Sequence, residues 1–81
     1  MEDAFKDALE RVSLLPEQPS HIQLKLYGLF KQVSFGDVTD KRPGVFDIRG
    51  RAKYDAWESR RGMSHEDAIM AYVDAAEELG A

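Results

Sequence analysis

The sequence predicts an all-α fold. In four separate stretches, apolar residues recur three and four positions apart, the spacing that places them on one face of an α-helix. No stretch shows the alternation of apolar and polar residues that is typical of a β-strand. The chain has 81 residues, a length that matches one domain, so we assign residues 1–81 to a single domain.

The first two helices are separated by a pair of prolines. Pro16 and Pro19 cannot donate a backbone hydrogen bond into a continuing helix, so the first helix is predicted to end before them. Ser20 followed by Gln23 predicts a capping box at the start of the second helix, and Gly36 is a natural residue to end it. The apolar stripe of the first helix contains Phe5, Ala8, Leu9, Val12 and Leu15. The stripe of the second contains Leu24, Leu26, Tyr27, Leu29, Phe30 and Val33.

A long loop is predicted from residue 36 to about residue 47, because this stretch is rich in Gly, Pro and Asp and has no periodicity. Connections in helical bundles usually have about 2–8 residues. When extended, this loop is long enough for the chain to run back along the second helix and start the third parallel to it. The sequence permits that topology without requiring it.

A third helix is predicted from about Ile48 to Arg61, with Gly62 ending it. Ser64 and Asp67 then form an acidic capping box for a fourth helix. The inward positions of the third helix are Ala52, Ala56 and Trp57. Those of the fourth are Ile69, Tyr72, Val73, Ala76 and Leu79.

The charges are distributed unevenly along the chain, whose net charge is −4. Between His21 and Gly62 nine Lys/Arg face five Asp/Glu, whereas the two flanks carry two Lys/Arg against ten Asp/Glu. A basic middle between acidic ends can attract an anion to one place. There is no cysteine, no apolar run long enough to span a bilayer, and no basic targeting segment at the acidic N-terminus. We therefore expect a cytoplasmic protein without stable membrane insertion.

The sequence contains no recognisable catalytic or metal-binding pattern. Without cysteine, a nucleophile would need an activating base, and both histidines, His21 and His65, are expected to be exposed at helix starts. No cluster of His, Asp and Glu has the spacing of metal ligands. We therefore expect neither enzymatic activity nor a bound metal.

Aromatic and cationic residues share two predicted helix faces. Tyr27, Phe30 and Lys31 share a face of the second helix, and Arg49 and Lys53 share a face of the third. A purine nucleotide with a separate phosphate requires this mixture, with a ring under the base and cations around the phosphate oxygens. Taken singly, the aromatic residues could equally be packing residues and the lysines ordinary surface charges. The residues alone leave the two interpretations evenly balanced.

A series of short motifs favours the functional interpretation. In order, they are YGLFKQ at 27–32, GD at 36–37, RPG at 42–44, Asp47 and GRAKYDAW at 50–57. Further similarity lies at 64–68 and 71–72, and weakly at Phe5 and Val12. This pattern covers nearly the whole chain and resembles the signature of the acyl-CoA-binding protein family.

The resemblance implies a four-helix up-down-down-up bundle in which the second and third helices are parallel and the long loop crosses over. It also implies a non-enzymatic intracellular carrier and pool former for long-chain fatty acyl-CoA esters. No cofactor is expected, since acyl-CoA is the ligand. We further expect a monomer, with acyl-CoA-using enzymes as candidate partners.

The resemblance also assigns roles by position. Tyr27, Lys31 and Lys53 correspond to residues that hold the 3′-phosphate of the CoA ribose, Phe30 to a ring stacked on adenine, and Tyr72 to the border of the nucleotide. The predicted acyl-CoA-binding residues are Tyr27, Gly28, Leu29, Phe30, Lys31, Arg49, Lys53, Tyr72 and Ser13. The predicted acyl-chain groove contains Phe5, Leu9 and Leu24.

Three positions depart from the family pattern. Phe30 stands where many members have Tyr, which keeps the stacking face and loses a hydroxyl group. Tyr54 replaces a usual Trp, and Ser13 stands where many members have a lysine near the phosphates. The alternative Arg11 points in a different direction on the predicted helix, so headgroup contact from the first helix is the least supported of these assignments.

Two other functions fit some of these features. A helical adaptor could accept an amphipathic peptide helix in the same groove. A small nucleic-acid binder could use the basic middle and its aromatic residues, but phosphate-backbone binding normally needs a strongly basic face and the chain is acidic overall. We therefore expect no nucleic-acid partner.

Overall fold

The computed structural model describes all residues 1–81 and contains four α-helices and no strand. None of the helices is both long and apolar enough to cross a bilayer. The helices are α1 (Glu2–Ser13), α2 (Ser20–Phe35), α3 (Ile48–Glu58) and α4 (His65–Glu78). The all-α prediction and the order of its elements are confirmed.

The directions of the helices follow from contacts at their ends. Leu24 and Arg49 line one groove at the starts of α2 and α3, and at the other end Trp57 Nε1 donates to the carbonyl oxygen of Gly36 at 2.8 Å, so these helices are parallel. The start of α4 meets the end of α2, where His65 Nδ1 lies 3.0 Å from the carbonyl oxygen of Val33. At the other end of α4, the Arg11 guanidinium, near the end of α1, donates to the carbonyl oxygen of residue 81 at 2.9 Å, so α1 and α4 are parallel. The bundle is therefore up-down-down-up.

The main core is formed by three of the four helices. The apolar stripes predicted for α1, α2 and α4 meet in it, because α4 packs against both other helices. It contains Phe5, Ala8, Leu26, Leu29, Val33, Ala68, Ile69, Tyr72, Ala75 and Ala76. The third helix buries only Trp57 and packs on α2 alone.

A close backbone approach joins α3 to α2. A Cβ atom at Gly28 would lie 2.3 Å from the carbonyl oxygen of Ala56, far inside van der Waals contact. Only glycine therefore allows the two helices to approach this closely at this point. The sequence pattern gave Gly28 no such structural role.

Polar contacts hold the loop before α3 in place. Asp37 Oδ1 accepts hydrogen bonds from the backbone N–H of Gly62 and from Gln32 Nε2, both at 2.8 Å. These bonds, the one from Gly62 foremost, lower the pKa of the Asp37 carboxyl. Val38 is buried although it lies in the loop, and Arg61 Nη2 donates to its carbonyl oxygen at 3.0 Å. The loop is therefore fixed at its first half.

Two details of the helix ends differ from the prediction. No capping box forms at Ser20, because Pro19 is the N-cap residue, and Gln23 Nε2 instead donates to the carbonyl oxygen of Gln18 at 2.6 Å. The third helix ends at Glu58 rather than near Arg61, because the next residues form turns closed by bonds to the third preceding residue. The capping box predicted for α4 forms by one half, since Ser64 Oγ accepts from the backbone N–H of Asp67 at 3.0 Å but the Asp67 carboxylate does not bond back to Ser64.

An N-cap at the start of α3 was not predicted. Asp47 Oδ1 accepts a hydrogen bond from the backbone N–H of Gly50 at 2.9 Å. A Cβ atom at Gly50 would lie 2.3 Å from the other carboxylate oxygen of Asp47, so the cap and the glycine depend on each other. This pair fixes where the loop ends and α3 begins.

Candidate functional site

Three residues of the predicted phosphate site come together between α2 and α3. Tyr27 and Lys31 are one turn apart on α2, and Lys53 reaches toward them from α3. The ammonium group of Lys53 lies 5.4 Å from the centroid of the Tyr27 ring, and that of Lys31 lies 6.0 Å from it. The parallel packing of the two helices and their close approach at Gly28 bring these three side chains to one place.

Aromatic rings also surround the Lys31 ammonium group. It lies 4.3 Å from the centroid of the Phe35 ring and 4.8 Å from that of Trp57. The rings attract the cation and restrict the lysine side chain. No carboxylate lies within ion-pair distance of Lys31 or Lys53. Both positive charges are thus held in position without an anionic partner.

A groove of about 600 Å³ opens beside these cations, between the first turns of α2 and α3. Leu24 and Ile48 supply apolar surface, while Arg49 and Lys53 supply positive charge. The remaining lining residues are Glu17, Ser20, Gln23, Tyr27 and Ala52. The groove therefore combines apolar surface with positive charge, as an amphipathic anion requires.

Ile48 is a groove residue that was not among the predicted site residues. Ile48 is a large apolar residue at the first position of α3, and its side chain is largely exposed. An apolar residue directly after the cap residue Asp47, outside the inward stripe of its helix, is the signal that could have identified it.

Three aromatic rings from three helices form a second group. The rings of Phe5 and Phe30 are stacked with centroids 6.3 Å apart, and Tyr72 meets Phe5 edge to face at 5.2 Å. Phe5 and Tyr72 are buried, whereas Phe30 is 36% exposed. Burial raises the pKa of the Tyr72 hydroxyl. Phe30 is thus an exposed ring supported from behind by a buried one.

Several predicted site residues lie elsewhere. Leu29 is fully buried, and Leu9 packs against the core from α1. Ser13 Oγ donates to the carbonyl oxygen of Glu10 at 2.6 Å, and Ser13 does not line the groove. Of the three residues predicted for the acyl-chain groove, Leu24 lines the groove between α2 and α3, whereas Phe5 and Leu9 lie with the core.

Arg11 is occupied by contacts within the fold. Its side chain pairs with Asp7 at 3.1 Å and donates to the carbonyl oxygen of Ala81. As predicted, Arg11 points away from the groove, and it therefore supplies no cation there.

The chain is similar in sequence to a known protein family and to several of its members. The family model described as acyl CoA binding protein matches residues 2–76. The chain is 47% identical over 77 residues to acyl-CoA-binding protein homolog 1 of Caenorhabditis elegans. The match covers 94% of this chain and 90% of the relative. The chain is also 42% identical over 80 residues to acyl-CoA-binding domain-containing protein 3 of rice, Oryza sativa subsp. japonica. That match covers 98% of this chain and 52% of the rice protein, so the chain spans about half of that relative.

Solved structures agree in fold. The crystal structure of acyl-CoA-binding protein 2 from Oryza sativa superposes with a TM-score of 0.92 at 37% identity, over 96% of this chain and 88% of the other. The crystal structure of the acyl-CoA-binding protein from Moniliophthora perniciosa superposes with a TM-score of 0.90 at 39% identity, over 98% of this chain and 79% of the other. With the family model matching almost the entire chain and these structures sharing its four-helix bundle, the protein belongs to the acyl-CoA-binding protein family.

Proposed function

We propose that the chain binds long-chain fatty acyl-CoA esters and serves as a cytoplasmic carrier and pool former for them. The observation that carries the proposal is the pair of ammonium groups, Lys31 and Lys53, held around Tyr27 beside a partly apolar groove. Neither lysine has a carboxylate partner, so a phosphate would gain charge-assisted hydrogen bonds without breaking an ion pair.

We assign the nucleotide to the surface between α2 and α3. In this proposal Tyr27, Lys31 and Lys53 hold the 3′-phosphate of the CoA ribose, Phe30 stacks on the adenine, and Arg49 lies near the remaining phosphates. The exposed and supported ring of Phe30 suits stacking, because little ordering is needed when a base arrives. We assign no catalytic step to the chain.

Affinity and selectivity have different sources in this proposal. Burial of a methylene group is worth about 0.8 kcal/mol, so a sixteen-carbon chain offers on the order of 12 kcal/mol before the cost of ordering the ligand. That cost removes much of the gain. The phosphate contacts then select a CoA ester over a free fatty acid. Affinity should therefore rise with acyl-chain length, while the nucleotide determines specificity.

Isothermal titration calorimetry with palmitoyl-CoA, free CoA and palmitate tests the proposal. We expect palmitoyl-CoA to bind far more tightly than either of its parts, because only the ester occupies both the cationic surface and an apolar one. If palmitoyl-CoA binds no better than free CoA, the carrier function is wrong. Titration with an amphipathic peptide helix tests the adaptor function, which requires the peptide to bind in the same groove and displace palmitoyl-CoA. For a carrier we expect no displacement.

A further inference from the structure

The loop before α3 ends in a turn that exposes large apolar side chains. The backbone N–H of Asp47 donates to the carbonyl oxygen of Gly44 at 3.0 Å, which places Val45 and Phe46 at the two central positions of the turn. Such positions usually hold Gly, Pro, Asn, Asp or Ser. Val45 is 64% exposed, Phe46 is 97% exposed, and Ile48, one residue beyond the turn, is 78% exposed. We call Val45, Phe46 and Ile48 the apolar tip.

The fold gives the apolar tip no packing role. Val45 and Phe46 belong neither to the core nor to the lining of the groove, and Phe46 is almost free of intramolecular contact. Only Ile48 reaches the groove. Contiguous exposed apolar residues are a liability in water, and in native proteins they commonly mark an interaction surface.

The apolar tip is also held in a defined position. On one side, Arg42 forms two hydrogen bonds, of 2.9 and 2.7 Å, with the carboxylate of Asp55 in α3. On the other, Asp47 caps α3 through the backbone N–H of Gly50. Because both sides of the turn are tied to α3, a partner would meet the tip with little cost for ordering it.

Charge around the apolar tip favours an anionic partner. Residues 40–55 carry five Lys/Arg against three acidic residues, and two of these, Asp47 and Asp55, are already bound by the Gly50 N–H and by Arg42. In contrast, α4 carries five Asp/Glu and no Lys/Arg, and α2 lies between α3 and α4 in the order of packing. An anionic surface would therefore attract the side with the apolar tip and repel the side with α4.

We propose that the apolar tip is a reversible docking site for the surface of an anionic phospholipid bilayer. Val45, Phe46 and Ile48 enter the interfacial region, and Lys41 and Arg49 lie among the headgroups. A protruding side chain suits a fluid surface, which needs no matching pocket, and aromatic and aliphatic residues beside cations are the usual composition of a peripheral membrane contact. Ile48 and Arg49 also line the proposed ligand groove, whereas Val45, Phe46 and Lys41 do not, so Phe46 can be tested separately from the ligand.

Vesicle co-sedimentation of the full chain without acyl-CoA tests the docking site. Vesicles of equal parts phosphatidylserine and phosphatidylcholine should bind the protein, and vesicles of phosphatidylcholine alone should bind it weakly. The variant Phe46→Asp should lower the binding constant by about tenfold or more, since it removes an inserted ring and adds a repelled charge. The control Met70→Asp, a substitution of an exposed apolar residue on α4, should leave it unchanged.

Tryptophan variants locate the contact directly. In Phe46→Trp, brominated lipids should quench the new fluorescence, whereas in Met70→Trp they should not. If the wild-type chain does not bind the anionic vesicles, or Phe46→Asp binds as the wild type does, the docking site is wrong.

Titration with palmitoyl-CoA in the absence of vesicles separates docking from ligand binding. Phe46→Asp should keep the wild-type affinity for palmitoyl-CoA, because Phe46 does not line the groove. If it loses ligand affinity by the same factor as vesicle affinity, the tip belongs to the ligand groove and the docking proposal is overturned. A wild-type chain that binds vesicles but not palmitoyl-CoA would disprove the carrier function and leave the docking site standing.

Discussion

In the region formed by α1, α2 and α4, buried apolar contacts hold the helices together, whereas the long loop and α3 bury only Val38 and Trp57 and are attached largely by polar contacts and one close backbone approach. All ten residues of the main core come from the first region. In the second, Trp57 donates to Gly36, Arg42 pairs with Asp55, and Gly28 lets α3 touch α2. The difference indicates that the core region contributes most to stability, while α3 adds one side of the candidate site.

The candidate phosphate site lies on the boundary between these regions. Tyr27 and Lys31 project from a helix that belongs to the core, while Lys53 projects from the attached helix. Substitutions in the core should therefore unfold the chain, and substitutions on the boundary should change binding more than stability.

The largest effect is expected for Leu29→Ala in the core. Leu29 is fully buried, so the substitution removes apolar contacts and leaves a cavity, which should lower the free energy of unfolding by about 2–5 kcal/mol. Urea denaturation measures this change. The same substitution at the exposed Leu14 is the matched control and should change the free energy by less than about 0.5 kcal/mol. Equal losses at the two positions would contradict the core described here.

The next effect concerns the contact between the two regions. Gly28→Ala places a Cβ atom against the carbonyl oxygen of Ala56, so α2 and α3 must separate, at a cost of about 1–3 kcal/mol in unfolding free energy. Separation should also move Lys53 away from Tyr27 and weaken the binding of palmitoyl-CoA in a calorimetric titration. Gly44→Ala is the control, because a Cβ atom there meets no atom within 4 Å. A fully stable Gly28→Ala variant with wild-type affinity would refute the role of this contact.

A smaller effect, on binding alone, is expected for the lysines. Lys31→Ala and Lys53→Ala should each weaken palmitoyl-CoA binding by about tenfold, the loss of one charge-assisted contact to a phosphate. The thermal midpoint of Lys53→Ala should stay near that of the wild type, and that of Lys31→Ala should fall only slightly, because neither lysine forms an ion pair and Lys31 loses its ring contacts alone. Lys6→Ala on α1 is the control for general charge effects. If either variant is strongly destabilised while its affinity is unchanged, the lysine has a structural role instead.

The sequence predicted the core region better than the α3 region. The apolar stripes that contain Phe5 and Ile69 could be predicted because apolar residues recur every three to four positions in a helix with one buried face. The third helix is short and buries one residue, so its end was placed too late. The buried Val38 and Gln32 were not expected at all, because loops have no periodicity and a buried amide depends on distant partners. Gln32 Nε2 donates hydrogen bonds to two such partners, Asp37 Oδ1 and the carbonyl oxygen of Met63.

The candidate site shows the same contrast. That Tyr27 and Lys31 share a face follows from their spacing alone. Their meeting with Lys53 depends on the parallel packing of α2 and α3, which only the family resemblance implied. The contact of Lys31 with Phe35, four residues later on α2, follows from spacing in the same way, whereas its contact with Trp57 of α3 needs the tertiary structure.

The smallest expected effect concerns the pH dependence of a contact at the end of the core region. His65 bonds through Nδ1 with the carbonyl oxygen of Val33 and through Nε2 with the carboxylate of Glu2, and the bond to Glu2 raises the pKa of His65 above its ordinary value of 6.5. The stabilisation from a raised pKa is fully present below the unfolded-state pKa and is lost as pH rises through the folded-state pKa. The stability difference between the wild type and His65→Gln, measured by urea denaturation, should therefore shrink from slightly acidic to alkaline pH. His21→Gln is the control at the exposed start of α2, and a difference for His65→Gln that is constant with pH would show that this ion pair does not join α1 to α4.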